Sequence, residues 1–132
     1  MPLQFLNPEG LSQPRNYSQV VIATGSRLVF VAGQVATDAA GNLVGGDDLE
    51  MQAMQAYRNV ATALAAGGAT LPDVAKLTTF VVDHGPGKLT TAMAARAAVF
   101  GPHAPAATFL GVQALASPEY LIEVEALAVI DS

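Results

Sequence analysis

The sequence predicts an α+β fold in which two helices cover one face of a five-stranded sheet. Short segments rich in β-branched residues are separated by Gly and Pro turns, and two other stretches repeat apolar residues at helical spacing. Their order is ββαβαββ, which is typical of helices layered on a sheet. A chain of 132 residues is near the usual size of one hydrophobic core, so we expect a single domain over residues 1–132.

The first half of the chain predicts a hairpin followed by a helix. Residues 1–16 contain Pro2, Pro8 and Pro14 and are predicted to be an irregular lead-in. Strands are predicted at 18–23 and 28–34, and the Gly-containing turn between them is typical of a hairpin. Either Asp47 or Asp48 can cap the helix that follows.

This first helix begins at Leu49, and Gly67-Gly68 ends it. Its predicted buried face comprises Ala53, Tyr57, Val60, Ala61 and Leu64. Its predicted polar face comprises Gln52, Gln55, Arg58, Asn59 and Thr62. The pattern indicates an amphipathic helix with one side on the sheet.

The second half predicts strands at 74–82, 106–112 and 121–130, and an alanine-rich helix at 88–100. Arg96 lies on an otherwise apolar face of that helix, so its guanidinium needs a partner or must extend to solvent. On the last strand Leu127 and Val129 share a face with Glu123 and Glu125. Because that face is not simply polar, we expect another chain to bury it, which makes the protein a homo-oligomer.

Composition excludes several classes of function. The net charge is −5 and the six Lys and Arg residues are scattered, so nucleic-acid binding is not expected. There are no cysteines, and His84 and His103 lack the spacing of zinc ligands, so we expect no metal and no cofactor. No apolar stretch predicts a membrane span and the first ten residues do not resemble a signal peptide, so we expect a cytoplasmic protein without a membrane partner.

Several segments, taken in their order and spacing, carry a family resemblance. They are YSQ at 17–19, VAGQ at 31–34, AAG at 65–67, KLTTFVVD at 76–83, PA at 105–106 and IEVEALA at 122–128. From about residue 17 to residue 130 the chain resembles the Rid family, the YjgF-type reactive intermediate deaminases that are also called endoribonuclease L-PSP. The resemblance implies a chorismate-mutase-like fold and a homotrimer whose sheets form a central barrel. It also implies three small-molecule clefts between subunits.

The resemblance implies an activity as well. Catalytic members hydrolyse enamines and imines released by pyridoxal-phosphate enzymes; an arginine binds the substrate carboxylate and a glutamate positions water. The matching positions for the glutamate, the first-strand tyrosine and the cleft glycine are Glu123, Tyr17 and Gly33.

The arginine position holds Ala107, and a methyl group cannot replace a guanidinium fork. The helix asparagine position holds Met93, and Phe109 follows two residues after Ala107, with the Thr108 hydroxyl between them. We therefore expect a more apolar cleft, in a subgroup that lacks the catalytic arginine, with weak 2-aminoacrylate deaminase activity.

Three functions stay open at this point. The first is binding of an imine, enamine or keto-acid-like metabolite with hydrolysis through Glu123; the second is a non-catalytic metabolite sensor or partner protein. The third is an RNA-cleaving translation inhibitor. Arg96, or else Arg15, could supply the cation that Ala107 cannot, although such residues more often form structural ion pairs. Glu123 could likewise be solvated or paired with an arginine of a neighbouring subunit.

Overall fold

The computed structural model describes residues 3–131 and has an α+β fold with two helices and a mixed sheet. Over these residues the strands and α-helices are β1 (Leu3–Leu6), β2 (Val20–Ala23), β3 (Arg27–Gln34), α1 (Leu49–Ala66), β4 (Val74–Val82), α2 (Lys88–Phe100), β5 (Ala106–Val112) and β6 (Ile122–Ile130), and a short 3-10 helix (Leu71–Asp73) precedes β4. The predicted helices and the later strands are confirmed to within a few residues. The strand β1 was not predicted.

The main sheet has the strand order β3-β6-β4-β5. Strand β6 runs antiparallel to both β3 and β4, whereas β4 and β5 are parallel and are connected through α2. Alternate residues of β6, including Val124, Ala126 and Ala128, belong to the same buried core as Tyr57 and Val60 of α1. Ala92 and Phe100 of α2 belong to this core too. Both helices therefore cover one face of the sheet, as predicted, and we call the opposite face the open face.

Helix α1 begins as the sequence predicts, because the side chain of Asp48 accepts a hydrogen bond from the backbone N–H of Met51. The prediction that Gln52 lies on the polar face is wrong. Gln52 is fully buried; its amide donates to the carbonyls of Gly46 and Glu119 and accepts from the N–H of Leu121. The side chain supplies hydrogen bonds to two loops that lack secondary structure, and this explains how a polar group is accommodated there.

The predicted hairpin of residues 18–23 with residues 28–34 is wrong. Strand β2 pairs instead with β1, in a separate two-stranded antiparallel sheet. The irregular lead-in therefore contains a strand. Gly25, between β2 and β3, lies so close to the end of β6 that an added Cβ would be 2.7 Å from the carbonyl oxygen of Ile130. The chain passes tightly over the end of β6 at this glycine, and β2 does not continue in the plane of the main sheet.

The two-stranded sheet covers part of the open face. Leu3 and Val21 pack against Ala75 and Val129, so Val129 is only 4% exposed. The expectation that another chain buries Val129 is therefore wrong, since the N-terminal strands of the same chain do so. The rest of this face stays accessible and combines apolar side chains, such as Phe30 and Leu127, with polar ones, such as Lys76 and Glu125. Phe30 is 73% exposed on it.

Candidate functional site

A cavity of about 380 Å³ lies on the helix side of the sheet, between α2, the edge strand β5 and the segment that precedes β2. We call it the helix-face cavity. Its lining residues are Asn16, Tyr17, Gln19, Thr79, Leu89, Met93, Arg96, Ala107, Thr108 and Phe109. Six of the eight residues that the sequence nominated are among them, and they are Tyr17, Met93, Arg96, Ala107, Thr108 and Phe109.

Secondary structure accounts for this convergence. Leu89, Met93 and Arg96 are spaced by four and three residues, so they form one stripe along α2. On β5, Ala107 and Phe109 are paired with Leu77 and the buried Thr79 of β4, and they face the helices. Thr108 points the other way, and its hydroxyl accepts a hydrogen bond of 2.7 Å from the Lys76 ammonium.

Arg96 is a buried cation in the cavity wall, with 6% of its surface exposed. Its guanidinium donates a hydrogen bond to the backbone carbonyl of Asn16. Burial lowers the pKa of Arg96, and the nearby phenol of Tyr57 partly offsets that effect. The sequence prediction that this arginine lies among apolar residues is confirmed, since Ala92, Ala95 and Phe100 of the same helix are also buried.

Arg15, the second candidate for a replacement cation, lies elsewhere. It lines a neighbouring cavity of about 290 Å³ together with Arg96 and His103, on the other side of Met93 and Asn16. The His103 ring bonds to the carbonyl of Val74 through Nε2 at 2.7 Å, and because a carbonyl only accepts, Nε2 carries the proton.

The rim of the helix-face cavity is anchored on both sides of Tyr17. Asn16 accepts the hydrogen bond from Arg96. Ser18 donates its N–H to the carbonyl of Pro105 at 3.0 Å and its hydroxyl to the carbonyl of Ala104 at 2.6 Å. These bonds connect the segment that carries Tyr17 to α2 and to the start of β5.

Gly33 and Glu123 lie apart from this cavity. They are neighbours on β3 and β6, where the register slips between Val31 and Gln34, and a Cβ added to Gly33 would collide with the carboxylate of Glu123, 2.7 Å from its Cδ. Because Ile122 and Val124 are buried under the helices, Glu123 points to the open face. A single chain therefore presents two separate groups of candidate residues, one on each face of the sheet.

Two functional candidates were missed by sequence reasoning. The hydroxyl groups of Tyr57 and Thr79 are 2.9 Å apart and form a buried hydrogen bond, and Thr79 lines the helix-face cavity. Burial raises the pKa of Tyr57, while the hydrogen bond to Thr79 and the charge of Arg96 act in the opposite direction. The signal was present, since a tyrosine on the buried face of a helix needs a hydrogen-bond partner.

The described residues 3–131 contain no cluster of three or more His, Cys, Asp or Glu side chains suited to holding a metal ion. No helix over the same residues has the length and hydropathy needed to cross a membrane.

The mixed sheet and the two helices on one face place the chain in a structural class of small α+β proteins. Residues 10–130 match the family described as Endoribonuclease L-PSP. The chain belongs to this family, whose members are also called the RidA or YjgF family, as the sequence motifs predict.

Individual relatives agree. The chain is 34% identical over 113 residues to a RutC family protein of Pyrococcus horikoshii, a match that covers 85% of each protein. It superimposes with a TM-score of 0.91 on YyfB of Yersinia pestis, a protein of unknown function of the conserved Rid family, at 42% identity over 98% of this chain and all of the other. It is also similar to E. coli TdcF with bound serine, with a TM-score of 0.69 and 26% identity over 98% of each chain.

Proposed function

We propose that this protein is a cytoplasmic, one-domain homotrimer that binds a small metabolite at clefts between subunits. The observation that carries the proposal is the division of the candidate residues between the two faces of the sheet. Six of them line the helix-face cavity, although the Thr108 hydroxyl points to the open face, where Gly33 and Glu123 lie. If the open faces form a central barrel, the helix-face cavity of one subunit would meet the Gly33 and Glu123 pair of the next.

The open face supports this assembly. Leu28 and Phe30 are 58% and 73% exposed there, next to the partly exposed Leu127. Exposed apolar patches of this kind are uncommon on monomers and mark interaction surfaces. In a trimer the patch would be removed from water, which supplies the free energy that association needs.

Ala107 supports membership of a subgroup without the catalytic arginine. Its methyl group lies in the wall of the cavity together with Met93 and Phe109. Since β5 contains no arginine, this strand has no guanidinium with which to bind a ligand. We therefore expect little or no hydrolysis of 2-aminoacrylate generated in situ by a dehydratase, and a robust rate would contradict this part of the proposal. The serine bound by the relative TdcF favours a small metabolite with a carboxylate as the ligand.

Catalysis and sensing make different demands on Glu123. If the protein hydrolyses an imine or enamine, the Glu123 carboxylate would orient or deprotonate the attacking water, and Glu123→Gln would abolish turnover while leaving binding in place. If the protein is a metabolite sensor, wild type would bind its ligand without turnover. RNA cleavage has less support, because a net charge of −5 opposes binding to phosphates, and we expect no retardation of single-stranded RNA at low salt.

A subunit-mixing experiment tests the shared cleft. Ala107→Phe fills the helix-face cavity, which is one half of the proposed cleft. Gly33→Leu fills the other half, on the open face, and displaces the flexible Glu123 carboxylate. The probes are 2-keto acids of three to six carbons, and binding is measured by calorimetry. Neither variant alone should bind. Trimers co-expressed at equal ratio should regain about a quarter of the clefts, because each cleft then needs two independently intact halves.

Two outcomes would contradict the shared cleft. Mixed trimers without any binding would place the whole site within one subunit. Normal binding by Gly33→Leu alone would show that the open-face pair takes no part. Failure of wild type to bind any keto acid of the series would count against the ligand class itself.

A further inference from the structure

Arg96 is a buried cation whose charge is not neutralised by the residues that surround it. Over residues 3–131, burial and the Tyr57 phenol are the influences on its pKa, and no carboxylate contributes. The phenol is itself uncharged at neutral pH, because burial raises its pKa above 10.0. The carbonyl of Asn16 accepts from one guanidinium nitrogen, whereas a guanidinium has five N–H donors. A buried charge without a counterion is costly, so an anion that enters the cavity would be stabilised by this side chain.

The hydroxyl pair of Tyr57 and Thr79 supplies a second donor at the same wall. The pair has two hydroxyl hydrogens, and one of them is used in the 2.9 Å bond between the oxygens. Either hydroxyl can be the donor in that bond, and the positive charge of Arg96, which acts on the Tyr57 oxygen, favours the Tyr57 hydroxyl as the donor. The Thr79 hydrogen is then left to donate into the cavity that this residue lines.

The remaining wall sets the size and character of the ligand. Leu89, Met93, Ala107 and Phe109 are apolar, and the cavity holds about 380 Å³. An anionic group near Arg96 and Thr79 would therefore be joined to a short apolar chain. We infer that the helix-face cavity binds the carboxylate of a small organic acid through Arg96 and the Thr79 hydroxyl, with Tyr57 as a positioning residue that orients Thr79.

This inference rests on the proposed function and adds the anchor of the ligand. The neighbouring cavity is the competing location, since it shares Arg96 but has Arg15 and His103 in place of Thr79. The hydroxyl pair favours the helix-face cavity, because Thr79 lines this cavity and not the neighbouring one, and its hydroxyl is bonded to the fully buried Tyr57. Thr79 and Arg15 each line only one of the two cavities, so their variants separate the two locations.

The experiment compares 2-oxobutanoate with its uncharged amide, 2-oxobutanamide, and calorimetry gives the dissociation constant of each. Wild type should prefer the carboxylate. Arg96→Met keeps the apolar stem and should weaken carboxylate binding roughly 10- to 100-fold, as expected for a lost hydrogen bond to a charged group. Thr79→Val should have a similar but smaller effect, and Thr79→Ser should restore binding because it keeps the hydroxyl.

Tyr57→Phe tests the positioning role, because Tyr57 is fully buried and cannot touch the ligand. It should reduce the preference for carboxylate over amide, whereas a purely structural defect would weaken both probes alike. Thr62→Val is the matched control, since Thr62 is exposed on α1 and its hydroxyl bonds only within the helix. Thermal unfolding of each variant shows whether the fold is retained.

Three results would overturn the inference. If wild type, Arg96→Met and Thr79→Val prefer the carboxylate over the amide equally, neither Arg96 nor Thr79 binds the carboxylate. Loss of binding in Arg15→Ala together with normal binding in Thr79→Val would place the anion in the neighbouring cavity. Failure of wild type to bind 2-oxobutanoate or any other keto acid of the series would remove the proposed function along with the anchor. Binding that is unchanged by these substitutions would remove the anchor alone.

Discussion

Replacement of Phe30 by aspartate should dissociate the oligomer without unfolding the subunit. A phenylalanine buries roughly 150–250 Å² when it is fully enclosed. Because Phe30 is 73% exposed in the single chain, roughly 150 Å² remains for a partner to cover. At about 25 cal/mol per Å² this is worth about 4 kcal/mol per subunit, or a factor of several hundred in affinity. The aspartates would also repel one another at the centre of the assembly.

Light scattering after size exclusion at micromolar concentration measures the outcome. Wild type should have the mass of three subunits, and Phe30→Asp should have the 13.5 kDa of one. Met51→Asp is the control: Met51 is 53% exposed in the first turn of α1, and the substitution makes the same change in charge away from the open face. An unchanged mass for Phe30→Asp, or a monomeric wild type, would refute the reasoning that this face joins subunits.

Three further predictions concern stability and are measured by thermal unfolding at equal protein concentration. Gly25→Ala should cost about 1–3 kcal/mol because its Cβ would press on backbone atoms, whereas Gly85→Ala, with open space around it, should be neutral or slightly stabilising. Gln52→Leu should cost about 2–4 kcal/mol, since two buried carbonyls and one N–H lose their partner. Burial holds the pKa of Tyr57 above its ordinary value of 10.0, so the folded state keeps a proton that the unfolded state releases. Its contribution to stability should be complete below pH 10 and should decline at higher pH, and Tyr57→Phe should remove that part of the decline.

The helices and the later strands could be predicted from the sequence because their signals are local. Asp48 begins α1 through a hydrogen bond to its own first turn, and the alternation on β6 separates buried from open positions. The strand β1 could not be predicted in this way. It has four residues and depends on pairing with β2 and on contacts of Leu3 with Val129, which lie far apart in sequence. Gln52 was missed for a similar reason, since its partners belong to distant loops.

The sequence indicated most of the residues that line the candidate site, but it did not indicate which face of the sheet each of them occupies. The sequence motifs nominated Glu123 and Ala107 together, yet the two side chains point to opposite faces of the sheet. Strand periodicity assigns alternate residues to two faces, but only the strand order and the position of the helices show which face each strand presents. Thr79 was missed because a threonine between apolar strand residues is also typical of an ordinary core position.

The hydrogen bonds on both sides of Tyr17 determine how this protein could accommodate ligands of different shape. Since Asn16 and Ser18 are both bonded to the rest of the fold, the backbone that carries the tyrosine has little freedom to move aside for a bulkier compound. Met93 is an unbranched, adaptable side chain in the wall of the same cavity, and its rotamers can change the free volume at little cost. Tolerance of different chain lengths among bound acids should therefore depend on the methionine, and Met93→Ile should narrow the range of acids that bind.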